Sequence, residues 1–259
     1  MSSTIETIIS IILLVAIPTL VVIGLTLISR NTKKNLVLQW GIASQASLGF
    51  IGIIIHELSH LIFAILFGHQ ITDFKLLIWP KRNSNNTTLG YVNHEWNTNS
   101  AYQNIGNVFI GTAPIYGCAL AIYLIIKYMI PGLENNINNV QNAVLNLDIG
   151  KLSHSLYEFI PNIFSQNLFL SLLAIILIIN IVIGGFDLSN ADLKNSQAAF
   201  FSLLIISSII IVTLGLIGLS GVTLMAVTKI VLKFISIMLV PIIFTFLVNL
   251  LVNILKFFH

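Results

Sequence analysis

Long apolar segments alternate with short polar ones along almost the whole chain. A helix crosses a bilayer core of about 30 Å with about 20 consecutive apolar residues, so each such segment predicts one membrane span. The pattern predicts six spans, and five to seven are compatible with it. The predicted spans are Thr7 to Ser29, about Leu38 to Gly68, Tyr102 to Ile130, Leu168 to Ile183, about Asn190 to Gly218, and a final apolar region from Val222 to Phe258.

Two of these boundaries depend on polar residues. The polar stretch from Arg30 to Asn35 is expected to end the first span. The final region is longer than one span, and its first part carries Lys229 and Lys233 four residues apart. We expect that part to lie along the interface, before a last helix that passes through Pro241.

One segment favours β-structure. Ile71 to Trp79 and Thr87 to Trp96 are β-prone runs on either side of the turn residues Pro80 to Asn86, which predicts a hairpin. By contrast, Leu133 to Asn167 is rich in Asn and reads as a polar segment outside the spans. The predicted fold class is therefore an all-α polytopic membrane protein of about six transmembrane helices, with a β-hairpin after the second.

Composition agrees with a membrane protein. Of 259 residues, 56% are hydrophobic and 8% are charged, whereas a soluble domain carries about 25% charged residues. The 12 Lys and Arg residues are scattered, which argues against a nucleic-acid surface. We therefore expect an integral, multi-pass protein whose environment is the lipid bilayer. The single cysteine, Cys118, excludes an internal disulfide.

The second predicted span carries the sequence His56-Glu57-Leu58-Ser59-His60. In this His-Glu-x-x-His pattern the two imidazoles lie one helical turn apart on one face and can bind one Zn²⁺. Glu57 is then the general base that activates the metal-bound water. Ionisable side chains inside an apolar span are costly unless they are paired or functional. The alternative is a polar cluster that fastens helices together or lines a proton path.

A catalytic zinc site needs a third protein ligand. The second span ends at the hairpin, the third leads away from it and the fourth returns, so the stretch from Gly184 to Asn195 lies on the hairpin side. It offers two carboxylates, Asp187 and Asp192. Ser189 is a candidate N-cap that would place Asp192 in the first turn of a helix. We therefore predict Asp192 as the third ligand and Asp187 as a solvated loop acid. The alternatives are simple helix capping by Asp192, and Asp187 as the ligand instead.

These features resemble the site-2 protease family of intramembrane zinc metalloproteases. The resemblance rests on the His56–His60 motif in a membrane helix, the hairpin, the Gly- and Pro-bearing segment Gly106 to Gly117, and the late Asp192 in a Ser-x-x-Asp pattern. It covers about Leu38 to Phe200. Membrane proteases of the CAAX-processing type share the motif but use a late glutamate, and Glu134 and Glu158 fall on the opposite face here.

The resemblance implies a zinc metalloendopeptidase of a bacterial cell membrane that acts on membrane-embedded or membrane-proximal proteins or peptides. It predicts an N-terminal transmembrane helix in residues 1–36, a metalloprotease core in 37–200 and C-terminal transmembrane helices in 201–259. Two other classes remain open. One is a non-catalytic membrane scaffold of the same fold, and the other is a metal or proton transporter. The sequence predicts neither the substrate nor the oligomeric state.

Overall fold

The computed structural model describes residues 2–80, 88–146, 148–163 and 167–256. Within them the chain is mainly helical, with one pair of antiparallel strands. In chain order the elements are α1 (Ser3–Trp40), α2 (Ile42–Leu66), β1 (Gln70–Lys75), β2 (Tyr91–Glu95), α3 (Ala101–Met129), α4 (Pro131–Leu145), α5 (Ile149–Tyr157), α6 (Phe159–Ile163), α7 (Leu168–Gly185), α8 (Asn190–Leu216) and α9 (Ser220–Leu255).

Five of the described helices are long and apolar enough to cross a membrane, namely α1, α2, α3, α7 and α9. The sixth predicted span corresponds to α8, whose apolar part, Phe200–Leu216, is shorter. Many large apolar side chains remain exposed on these helices, as expected for surfaces that face lipid rather than water. The predicted fold class, a polytopic helical membrane protein with a hairpin, is therefore confirmed.

Two predicted helix boundaries were wrong. Helix α1 continues through Arg30 to Asn35 and ends at Trp40, where Gly41 adopts a positive φ of 76°. Several polar side chains in this stretch have partners: the Asn35 amide lies 2.5 Å from Asn253 Oδ1, and Asn249 donates to the Thr32 hydroxyl at 2.9 Å. Because these groups are satisfied within the protein, they need no helix end.

The final apolar region is also simpler than expected. Ser220–Leu255 is one continuous helix of 36 residues that includes Pro241. The predicted division into an interfacial part and a separate last helix is not observed. At about 1.5 Å per residue, α9 is considerably longer than a bilayer core is thick.

The hairpin forms where the sequence predicted it, with shorter strands. Strand β1 pairs antiparallel with β2, and Ile71 lies opposite His94. The Tyr91 hydroxyl donates to the Asp73 carboxylate at 2.6 Å, which links the two strands further. Of the predicted turn, all but Pro80 lies outside the described residues.

The Asn-rich segment is helical as well. Helices α4, α5 and α6 occupy most of it and contact one another. Asp148 begins α5 as an N-cap, since its side chain accepts a hydrogen bond from the Lys151 N–H at 3.0 Å.

The chain divides into two compact units. One comprises Met1–Val21, Tyr123–Ala174 and Ser202–Val240 and contains α4 to α6. The other comprises Val22–Ile122, Ile175–Phe201 and Pro241–His259 and contains α2 and the hairpin. All residues of the candidate site belong to this second unit.

Candidate metal centre

Two histidines face each other on α2. His56 and His60 are four residues apart, which places them on one face of the helix, and their Nε2 atoms are separated by 3.2 Å. Both side chains are buried, and so is Glu57, which follows His56 in the chain. The predicted motif is therefore helical, and its three polar groups lie inside the protein.

Two backbone carbonyls hold the imidazole rings. His56 Nδ1 lies 2.8 Å from the Gly185 carbonyl oxygen, and His60 Nδ1 lies 2.7 Å from that of Ile110. Because a carbonyl oxygen only accepts, each Nδ1 carries the hydrogen and each neutral ring has its lone pair on Nε2. Two lone pairs cannot hydrogen-bond to each other, whereas one cation satisfies both. Carbonyl partners of this kind are typical of histidines that bind metals.

Both carbonyls lack their usual helical partner. In α3 the Ile110 carbonyl would accept from the N–H of residue 114, but Pro114 has no N–H. Gly185 is the last residue of α7, and the last four carbonyls of a helix have no N–H partner within that helix. The sequences of α3 and α7 thus leave free the two acceptors that orient the histidines of α2.

Small residues bring these helices close enough for such contacts. A side chain at Gly184 of α7 would collide with the Gly49 carbonyl of α2, and a Cβ at Gly52 would lie 2.6 Å from the Ile181 carbonyl oxygen. A side chain at Gly117 of α3 would collide with Ser59 of α2. Glycine is required at these crossings, and the Gly- and Pro-bearing segment from Gly106 to Gly117 packs beside the motif.

Asp192 lies in the first turn of α8 and is held by a capping box. Its Oδ2 accepts from the Ser189 N–H at 2.7 Å, and the Ser189 hydroxyl accepts from the Asp192 N–H at 3.1 Å. Its other oxygen, Oδ1, lies 3.5 Å from His60 Nε2. Capping and approach to the histidines, which the sequence presented as alternatives, are therefore combined in one carboxylate.

The three side chains fit a metal ion. One ligand atom from each of His56, His60 and Asp192 lies within 4.8 Å of the others. Ligands about 2.0–2.1 Å from a tetrahedral ion are about 3.3 Å apart, close to the observed 3.2 and 3.5 Å. Among the described residues, this group could hold a metal ion.

Asp187, the competing carboxylate, is occupied elsewhere. Its Oδ1 lies 3.0 Å from Arg30 Nε and its Oδ2 lies 3.4 Å from Lys33 Nζ. Arg30 also bonds the Leu188 carbonyl and the Asn190 side chain, at 2.5 and 3.0 Å. The expectation of a solvated and unconstrained loop acid was wrong in this respect, because α1 fixes the turn between α7 and α8 through Asp187.

Glu57 opens onto a cavity of about 490 Å³ that also includes His56, His60 and Asp192. Most of the remaining wall comes from the second strand and the residues before it: Thr88, Gly90, Tyr91, Val92, Asn93, His94 and Glu95. Glu57 has no hydrogen-bond partner among the described residues, so its carboxylate is available to a molecule in the cavity.

Gly90 brings the hairpin against the Glu57 carboxylate. A Cβ at Gly90 would lie 2.6 Å from Glu57 Cγ and 2.9 Å from Oε1. A second cavity, of about 270 Å³, meets the same two residues and extends to Lys33 and Gln45. The candidate base is thus reached from two directions.

Sequence reasoning missed a second histidine pair. His69 follows α2 and His94 lies in β2, and their Nδ1 atoms are 2.9 Å apart. From the sequence alone, His69 has no partner pattern and no assigned role, and a solvated strand face is favoured for His94 over an edge position or a substrate contact. In the structure His69 is buried, and His94 lines the cavity with the metal cluster.

Comparison of the chain with models of protein families, with curated proteins and with solved structures finds no match. The functional conclusion therefore depends on the geometry of the site.

Proposed function

We propose that the protein is an intramembrane zinc metalloendopeptidase of the site-2 protease type, which hydrolyses peptide bonds of membrane-embedded or membrane-proximal substrates. The observation that carries this proposal is the convergence of two imidazole nitrogens and one carboxylate beside a buried glutamate that has no hydrogen-bond partner in the described part of the chain. A polar cluster that only fastens helices would be expected to pair donors with acceptors. Here the Nε2 atoms of His56 and His60 are both acceptors and face each other at 3.2 Å.

Zinc is the metal that best suits this donor set. Two imidazoles and one carboxylate are a common ligand set of catalytic zinc, which keeps its fourth position open for water. In this protein the open position would face the cavity that Glu57 lines. Bound Zn²⁺ supplies a Lewis acid that activates water and polarises the scissile carbonyl.

Glu57 is the proposed general base and acid. Its carboxylate takes a proton from the attacking water and then delivers that proton to the leaving amine. Burial shields the carboxylate from bulk water, and Gly90 leaves just enough space for it beside the hairpin. His56, His60 and Asp192 hold the metal and take no proton in this scheme.

The substrate must present extended backbone, because a helix hides its carbonyls in internal hydrogen bonds. Strand β2 lines the cavity, and β1 pairs with one of the two edges of β2. A peptide that added to the other edge of β2 would place its carbonyls along the cavity by strand addition. Replacing Phe74 of β1 by Pro should disrupt the hairpin and impair cleavage without loss of zinc, whereas Phe74→Val should be tolerated. Unchanged cleavage by Phe74→Pro would contradict this role of the hairpin.

The function is tested by comparing the membrane peptides in cells that make the native protein with those in cells that make Glu57→Gln. The amide retains the shape of the side chain but cannot accept the proton. We expect zinc to remain bound and cleavage to fall by a factor of about 10²–10⁴, so that intact precursors accumulate. Identical peptide populations, with zinc bound to both proteins, would refute the peptidase. Zinc flux into sealed vesicles that hold the purified protein would instead indicate a transporter.

A further inference from the structure

The pair formed by His69 and His94 lies outside the candidate metal cluster, and its hydrogen bonds determine which ring nitrogens donate and which accept. His69 Nε2 lies 2.9 Å from the Gln103 carbonyl oxygen, so Nε2 carries the hydrogen and donates. With both rings neutral, His69 Nδ1 accepts from His94 Nδ1 over 2.9 Å. His94 Nε2 then carries a lone pair.

Packing fixes this arrangement. His69 is buried, and its ring stacks on Trp96 with centroids 5.6 Å apart and planes 20° from parallel. His94 also contacts Trp96, at 5.9 Å between centroids. A ring with both nitrogens bonded and one face stacked cannot rotate freely. His69 therefore fixes both the tautomer and the orientation of His94.

His94 lines the cavity, and its Nε2 has no hydrogen-bond partner among the described residues. His94 is a cavity-lining residue together with Glu57 and His60, and its Nδ1 is already taken by His69. The pKa of His94 is lowered to about 4, first by burial and then by electrostatic repulsion from the His69 and His60 sites, while Asp192 acts in the opposite direction. The ring is therefore neutral near pH 7, and its Nε2 accepts hydrogen bonds.

We propose that His94 is a substrate-binding residue, whose Nε2 accepts a hydrogen bond from a backbone N–H of a peptide lying along β2, and that His69 is the residue that positions it. This inference rests on the proposed peptidase function. The acceptor stands in a strand whose neighbours line the same cavity as Glu57. A peptide amide is the donor that every extended substrate offers, so the contact suits recognition of backbone rather than of a particular side chain.

Binding of two metal-directed probes to the purified, zinc-loaded, full-length protein tests the inference. Acetohydroxamate contacts only the metal and its surroundings. A tripeptide hydroxamate adds backbone amides on one side of the metal, and it is used in two forms, with the hydroxamate at either end. We expect His94→Leu to lower the affinity for one of the two tripeptide hydroxamates about tenfold, which corresponds to the loss of one hydrogen bond. Acetohydroxamate binding and zinc content should be unchanged. His154→Leu, in α5, is the matched control and should change neither.

Removing the donor from the probe sharpens the test. In depsipeptide versions, one amide N–H at a time is replaced by an ester oxygen. The native protein should bind one of the ester probes about tenfold more weakly than the all-amide probe. His94→Leu should bind that same ester probe and the all-amide probe equally well. His94→Gln, which offers a carbonyl oxygen as acceptor, should recover part of the affinity. His69→Phe retains a ring to stack on Trp96 but lacks the acceptor nitrogen, and it should weaken the tripeptide probe only.

The two possible failures are distinguishable. If acetohydroxamate does not bind the native protein in a zinc-dependent manner, the proposed function fails, and the role of His94 fails with it. If acetohydroxamate binds but the tripeptide probes bind native protein and His94→Leu equally, the proposed function stands and the role of His94 is refuted. The role of His94 is also refuted if every ester replacement lowers the probe affinity of the native protein and of His94→Leu by the same factor.

Discussion

Among the described residues, two pairs of histidines are in contact, and they differ in where their hydrogens lie. In the pair formed by His56 and His60, both Nδ1 atoms donate to carbonyls, so two acceptors face each other at 3.2 Å. In the pair formed by His69 and His94, one carbonyl is engaged, so a donor faces an acceptor at 2.9 Å. With both rings neutral, the first pair can therefore be satisfied by one cation, and the second is complete with its own proton. The number of carbonyl partners therefore distinguishes the candidate metal site from the hydrogen-bonded pair without reference to any related protein.

The largest expected effect comes from removing one histidine of each pair. His60→Ala should reduce zinc from about one ion per purified chain to nearly none, because two protein ligands do not complete a catalytic zinc site. His69→Ala should retain the full amount. The measurement is metal analysis of both proteins after exposure to zinc and removal of the excess. Zinc loss from both variants, or from neither, would abolish the distinction between the pairs.

The carboxylates of the turn between α7 and α8 give a second contrast. Asp192→Ala should greatly weaken zinc binding, and Ser189→Ala, which removes only the cap, should leave zinc bound while costing about 1 kcal/mol of stability. Asp187→Ala should also keep the metal, because Asp187 pairs with Arg30 and Lys33 instead. Zinc titration of the three variants checks this. Metal loss in Asp187→Ala together with retention in Asp192→Ala would reverse the assignment.

Pro114 tests why the first pair holds two acceptors. In Pro114→Ala the new N–H can bond to the Ile110 carbonyl and compete with His60 Nδ1 for it. Loss of such an outer partner costs about 10–100-fold in metal affinity or activity, and competition should cost about tenfold. Pro18→Ala, which changes a proline inside α1, is the control and should leave the zinc affinity unchanged. Equal affinities for Pro114→Ala and the native protein would refute the role of the proline.

Much of the site could be predicted because its information is local. The spacing of His56 and His60 is one helical turn, and Ser189 and Asp192 are three residues apart in a capping pattern, so both follow from helix geometry. The pairing of His69 with His94 could not be predicted. It depends on the register of a hairpin whose turn permits several alignments, and a shift of one residue would move His94 to the other face.

The helix boundaries were missed for a similar reason. Charges in Arg30 to Asn35 suggest exposure to water and hence the end of a span. Their partners lie more than 150 residues away, as with Arg30 and Asp187 or Asn35 and Asn253. Sequence reasoning that weighs each window alone cannot detect that a distant segment satisfies these groups.

The smallest expected effect concerns the contact between the hairpin and Glu57. Gly90→Ala places a methyl group where the Glu57 side chain lies, so the carboxylate must move by a few tenths of an ångström or more. We expect a several-fold fall in kcat with unchanged zinc content, since misplacement by 1 Å can cost about 10²-fold. Gly24→Ala, where a Cβ meets nothing within 4 Å, is the control. The assay uses the peptide identified by the Glu57→Gln comparison, and an unchanged kcat would show that Gly90 does not constrain the base.

The central claim is that the first pair of histidines, together with Asp192, binds zinc. X-ray absorption at the zinc edge of the purified protein measures the ligands directly. We expect two imidazole nitrogens at about 2.0–2.1 Å from the zinc with the remaining ligands oxygen, and loss of the signal in His60→Ala. A sulfur ligand, fewer than two imidazoles, or an unchanged spectrum in His60→Ala would contradict it.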